Sequence, residues 1–145
     1  GTWTDYYPGG GGEPPRHPSA PDGGVGGIAF CPLEGTDDQM PDYRVASYCI
    51  EKLHEASEAP VFIACGFVKP HMPFSVPKPW FDLFPLESIE LPPHREDDLN
   101  DIPAAGVKMA GPEGDHARIV QSGRWREAVQ AYLDGSIVDR VELLH

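Results

Sequence analysis

At 145 residues, with a net charge of −12 from 23 acidic and 11 basic side chains, the chain has the length of one domain and the wrong sign of charge for a nucleic-acid or anionic-membrane partner. Seventeen prolines and sixteen glycines exceed the usual combined share of about 12%, so long irregular loops and a thin core are expected. No apolar run approaches the roughly 20 residues of a membrane span.

The opening GTWTDYYPGG has neither the basic n-region nor the apolar h-region of a signal peptide. Residues 1–35 read as loop-rich. Gly9 to Gly12, Gly23-Gly24 and Gly26-Gly27 supply flexible backbone, while Glu13-Pro14-Pro15 and His17-Pro18 are stiff. A phosphate cradle would need a strand before the glycines and a helix after them, and neither is expected. Trp3, Tyr6 and Tyr7 are expected to anchor this excursion to a neighbouring surface. The three cysteines, Cys31, Cys49 and Cys65, cannot all pair and read as buried free thiols acting as small hydrophobes.

Residues 36–93 form a helix, a strand and a proline-clamped loop. Thr36 and Gln39 have capping-box spacing, and Asp37 and Asp38 suit the positive end of a following helix. From Asp42 to Ser57, Val45, Tyr48, Cys49, Leu53 and Ala56 recur at helical steps, and His54 faces solvent. Val61 to Cys65, VFIAC, is apolar without alternation, which suits a strand buried on both faces of a parallel sheet. Lys69-Pro70-His71-Met72-Pro73 follows, a cation and an imidazole on backbone stiffened by two prolines. Past the carboxyl end of a buried strand is where open α/β sheets bind ligands, and this pair could grip an oxyanion. Pro77 to Pro85 predicts one or two helical turns packed down by Trp80, Phe81 and Phe84. Leu86 to Pro93 reads as extended.

Residues 94–145 hold an acidic irregular loop, 94–114, and C-terminal helices. Asp97, Asp98 and Asp101 lack the register of a calcium loop and read as solvated. From Asp115 the apolar positions Ile119, Val120, Trp125, Ala128, Val129, Tyr132 and Leu133 are helical, with Gly123 dividing the stretch into two pieces.

The motifs GFVKPHMPF, VPKPWFDLFP and PLESIELPP, in that order, resemble the sulfatases of the alkaline-phosphatase superfamily, in particular the iduronate-2-sulfatase-like branch. The weaker likeness runs from about Trp3 to about Tyr132 and corresponds to an internal segment of such an enzyme. It implies an α/β fold: a partial alkaline-phosphatase-like sandwich with one buried central strand, flanking helices and long loops. It also implies that His71 is an active-site histidine that binds the substrate sulfate, near the leaving oxygen, and that Lys69 binds substrate beside it.

A complete member of the family is expected to carry calcium and a formylglycine, to act on a sulfate ester or sulfated sugar, and often to be periplasmic, secreted or lysosomal. The Asp37-Asp38 pair matches a linker of the family rather than its metal site. Formylglycine is made within C/S-x-P/A-x-R. Cys31, Cys49 and Cys65 lack the proline two residues on; Ser19 and Ser75 have it but lack the arginine. The chain is thus expected to be a single incomplete segment that needs the remainder of the fold and does not turn over alone. A non-catalytic anion- or sulfated-glycan-binding module, or a truncated gene product, is the alternative.

Overall fold

The computed structural model describes residues 5–9, 11–20, 23–55, 60–111 and 113–142, the last five by backbone only. The anchoring expected of Trp3 and the helix end expected at Ser57 lie outside them. The described architecture is mixed α/β, a three-stranded sheet with five α-helices.

The sheet begins with a hairpin inside the stretch read as loop. β1, Gly24–Val25, and β2, Ile28–Leu33, pair antiparallel with Val25 opposite Ile28. Only Gly26 and Gly27 separate them, and Gly26 has φ +59°, the left-handed geometry that tight hairpins require. Gly24 has φ +123°, and a Cβ there would lie 2.1 Å from the Ile28 carbonyl oxygen. Gly24→Ala is therefore expected to break the hairpin and cost roughly 2–4 kcal/mol; an unchanged urea midpoint would refute that reading.

β2 pairs in parallel with β3, Phe74–Pro77, in the register Phe30 to Phe74 and Leu33 to Pro77. The order is β1-β2-β3. An isolated bridge from Arg16 to Leu33 lays the N-terminal loop along β2. His17 N–H donates to Pro32 O (2.9 Å) and Glu34 N–H to Pro15 O (2.8 Å).

Helix α1, Pro41–Glu55, follows a 3-10 turn at Asp37–Gln39. The expected Thr36–Gln39 partnership is present, with Thr36 N–H donating to Gln39 Oε1 at 3.2 Å. Asp42 and Ala46 are the buried residues of α1. Leu53, expected on its apolar face, is 58% exposed, and His54 is exposed as expected. The short helix α2, Lys78–Phe81, follows β3. Its aromatics do pack onto the body: Phe81 joins the core, and Trp80 Nε1–H donates to Asp37 Oδ1 at 2.7 Å. Helix α3, Ala104–Ala110, lies within the stretch read as irregular, and Gly111 ends it at φ +60°.

The predicted division at Gly123 holds. It separates α4, Asp115–Gln121, from α5, Trp125–Glu142. Gly123 has φ +74°; its N–H donates to Val120 O and the Arg124 N–H to Ile119 O, at 3.0 and 3.3 Å. Those two bonds form a Schellman closure. Phe30, Ile119, Ala128 and Ala131 form the main core, joined by Val25, Ile28, Phe74, Phe81 and Trp125. Cys31, Leu33 and Met40 form a second, smaller cluster.

One expectation is overturned. Val61 to Cys65 is not a buried central strand. Residues 60–68 have no regular secondary structure and belong to no sheet, and Val61, Phe62 and Val68 are 53%, 77% and 63% exposed. An apolar run becomes a two-sided strand only where neighbours supply backbone partners and cover both faces. The sheet among the described residues is formed from β1, β2 and β3, and it leaves this run outside.

Candidate functional site

The loop Lys69-Pro70-His71-Met72-Pro73 joins the irregular segment 60–68 to β3. It therefore leads into the amino end of a strand, and does not follow the carboxyl end of one as expected. Both proline bonds in it, Lys69–Pro70 and Met72–Pro73, are cis.

Asp42 holds the loop from below. This carboxylate sits in the first turn of α1 and is 3% exposed. The Val68 N–H donates to both its oxygens at 3.0 Å, and the Lys69 N–H donates to Oδ2 at 2.8 Å. Val68 and Lys69 lie in no helix or sheet, so their backbone donors need another acceptor, and a carboxylate anchored on a helix supplies it.

Lys69 is buried. Its Nζ donates to Glu13 Oε1 at 2.6 Å and to Pro73 O at 2.7 Å. The Lys69 side chain is 5% exposed and the Glu13 side chain 26%. A desolvated ammonium needs such an anion beside it. Glu13 is held in place because its loop is braced along β2. Lys69 also spans its own loop, closing it through Pro73.

His71, unlike Lys69, is exposed. Its backbone N–H donates to Val68 O at 2.9 Å, and its ring Nδ1 lies 2.7 Å from Met72 O. A carbonyl oxygen can only accept, so Nδ1 carries the proton. In the neutral ring Nε2 is then the basic nitrogen, and in the imidazolium it is a charged donor facing outward.

On the far side, α5 supports the loop. A carbon added at Gly135 would stand 3.7 Å from Pro70 Cβ, so the helix backbone runs next to Pro70. Beside Gly135 is Asp134, which is fully buried with no hydrogen-bond partner for either oxygen among the described residues.

Sequence reasoning located Lys69 and His71 but missed Asp42 and Glu13. Asp42 carried one signal, an acid at the first turn of a helix that leads back to the loop. Glu13, 56 residues upstream of Lys69, carried none. The acidic stretch Asp97 to Asp101 stays exposed, and Asp97 pairs with Arg95 at 2.8 Å. Asp37 accepts from Trp80, and Asp38 accepts a short bond from the Thr36 hydroxyl. Among the described residues no three His, Cys, Asp or Glu side chains converge where they could hold a metal ion. These residues do not fit a calcium cradle.

Comparison with known proteins places the chain's likeness in one group. It is 43% identical over 102 residues to a sulfatase of Formosa agariphila, a match that covers 68% of this chain. It is 35% identical over 99 residues to human iduronate 2-sulfatase and 34% identical over 106 residues to the mouse protein, matches that cover 57% and 62% of the chain. The matches cover 20%, 18% and 19% of those relatives, so the chain spans about a fifth of the length of the curated proteins it matches. No protein-family model matches it, and no solved structure matches it.

Proposed function

Because the chain belongs to the sulfatase family over the segment it shares with these relatives, we propose that it forms one wall of a sulfate-ester pocket, with His71 as its catalytic residue. The observation that carries this reading is the imidazole itself. His71 is exposed, and Met72 O holds the proton on Nδ1. Nε2 is left to meet an anion.

Hydrolysis of a sulfate ester puts negative charge on the sulfate oxygens and on the departing alkoxide. An imidazolium Nε2–H placed there donates a charge-assisted hydrogen bond and can pass its proton to the leaving oxygen. Lys69 takes a positioning role in this reading, not the direct substrate contact expected of it: its side chain is 5% exposed and its ammonium is held by Glu13 and Pro73, closing the loop that carries His71. No step is assigned to a metal, for which these residues provide no cradle, or to a formylglycine, for which the sequence has no C/S-x-P/A-x-R.

On this reading the exposed run 61–68 is covered by the remainder of a sulfatase, and the chain by itself turns over no sulfate ester. Placed in a polypeptide with the relatives' full length, His71→Ala is expected to lower kcat/KM for an aryl sulfate by about 10²–10⁴-fold. An unchanged kcat/KM would remove His71 from the site. Turnover by the purified chain alone, supplied with calcium and lost in His71→Ala, would overturn the claim of inactivity. Saturable binding of sulfate by the monomeric chain, without turnover, would favour the non-catalytic module.

A further inference from the structure

We propose that Cys49 and Cys65 form a reversible disulfide that fastens the irregular segment 60–68 to helix α1. The inference stands apart from the sulfatase reading and corrects the expectation that these cysteines are inert buried thiols. Cys65 is exposed and Cys49 half-buried; only Cys31 is buried among the three free cysteines.

The register of the two elements brings the sulfurs together. The Asp42 carboxylate fixes the Val68 and Lys69 amides to the start of α1. Cys49 lies seven residues further along the helix, on the same face as Asp42 and about 10 Å up the axis. Cys65 lies three residues before Val68, an interval over which the chain can reach at most about 10 Å. The segment thus runs back along α1, and Cys65 arrives beside Cys49. The Cys49 thiol stands near enough to Cys65 to push its thiol up. Cys31 stands apart, its Sγ 3.6 Å from Ser75 Oγ.

Two thiols in contact are oxidised by exchange with a small disulfide such as oxidised glutathione. A thiolate of the pair attacks one glutathione sulfur, the glutathione disulfide bond breaks, and a glutathione thiolate leaves. The second protein thiolate then attacks the mixed disulfide and expels the other glutathione. The protein loses two hydrogens as protons and two electrons, and glutathione gains both. Desolvation first, then Cys49, then the Asp42 carboxylate push the Cys65 thiol up to about 11. Exchange is therefore slow at neutral pH and quickens as the solution becomes alkaline.

The test uses the whole chain in glutathione buffers of increasing oxidised fraction, quenched with acid, alkylated and weighed intact. Before alkylation the expected product is about 2 Da lighter than the reduced chain; after it the product carries two fewer alkyl groups, maps to a linked Cys49–Cys65 peptide and leaves Cys31 free to be alkylated after unfolding. Val68 and Lys69 amide exchange should slow about 10-fold in that species, since the segment no longer lifts from α1. Cys49→Ser and Cys65→Ser should each abolish the mass loss and leave a glutathione adduct on the remaining member. No mass loss at any buffer ratio, or a linked peptide containing Cys31, would overturn the proposal. Both outcomes are read on the unaltered chain and do not depend on how the serine variants fold.

Discussion

Asp42→Ala is expected to destabilise the chain by roughly 2–4 kcal/mol, because it strands two backbone N–H groups and removes the charge that met them. The Asp42 side chain is 3% exposed and accepts from Val68 and Lys69 at 2.8–3.0 Å. Water cannot substitute at a site so enclosed without opening the packing of α1 against the loop. The urea midpoint should fall while the denaturant slope stays constant, and Val68 and Lys69 amides should lose protection before the core does. Asp42→Asn keeps one acceptor oxygen and should lose about half as much. An alanine variant within about 0.5 kcal/mol of the parent would show that the carboxylate does not hold the loop. A retained midpoint with selective loss of His71 function would instead place Asp42 as a positioning residue whose anchoring affects geometry more than stability.

The same anchor explains how one short loop presents a base on one side and hides a cation on the other. Three attachments act at successive residues. Asp42 takes the Val68 and Lys69 amides. Glu13 takes the Lys69 ammonium, which also donates to Pro73 O. Met72 O takes the His71 Nδ1 proton. Each attachment satisfies a polar group that proline-rich backbone cannot place in a helix or sheet. With the backbone fixed, the imidazole has little freedom beyond rotation about its own bonds, and the entropy of positioning it against an anion is reduced accordingly.

Much of this was legible in the residues, and the failures have physical causes. The loop was legible because Pro70 and Pro73 flank His71 and Pro70 follows Lys69, and proline restricts backbone wherever it occurs. The division at Gly123 was legible because a glycine between two apolar-periodic stretches ends one helix and leaves room for the next. The hairpin was missed although Gly26-Gly27 between Val25 and Ile28 is a two-residue turn signal; neighbouring glycines and prolines masked it as loop.

Val61 to Cys65 was misread for the opposite reason. Its composition reports what the run is suited to, burial between two strands, and not what the described residues supply. Helix α3 escaped because AAGVKMA is short and its Gly106 weakens the pattern. Glu13 could not be found at all, since no local rule links an acid in a proline-rich loop to a lysine 56 residues away.

Asp134 carries the other large expected effect, in the opposite direction from Asp42. It lies in α5 next to the residue that abuts Pro70, is fully buried, and neither oxygen has a hydrogen-bond partner among the described residues. Gln130, one turn earlier, donates to the Phe81 and Phe84 carbonyls at 3.2 and 2.6 Å, so this face of α5 packs on α2 and on the turn that follows it. Burial, and then the carboxylate of Asp82, push the Asp134 carboxyl up from 3.8 to about 7. Between those two values the unfolded chain has released the proton and the folded chain keeps it. The folded state binds more protons, so stability falls as pH rises from about 4 to about 7 and then levels. Asp134→Asn removes the titration while keeping the volume. It should flatten that part of the profile, leave stability at pH 4 nearly unchanged, and raise it at pH 8 by roughly 2–4 kcal/mol. Urea unfolding of both chains at pH 4, 6 and 8 checks this, and parallel profiles would mean that Asp134 is ionised and solvated in the folded state. A stabilised Asn variant would also show that α5 tolerates a neutral side chain beside Pro70 without moving the loop, provided that Val68 and Lys69 amide exchange stays as in the parent.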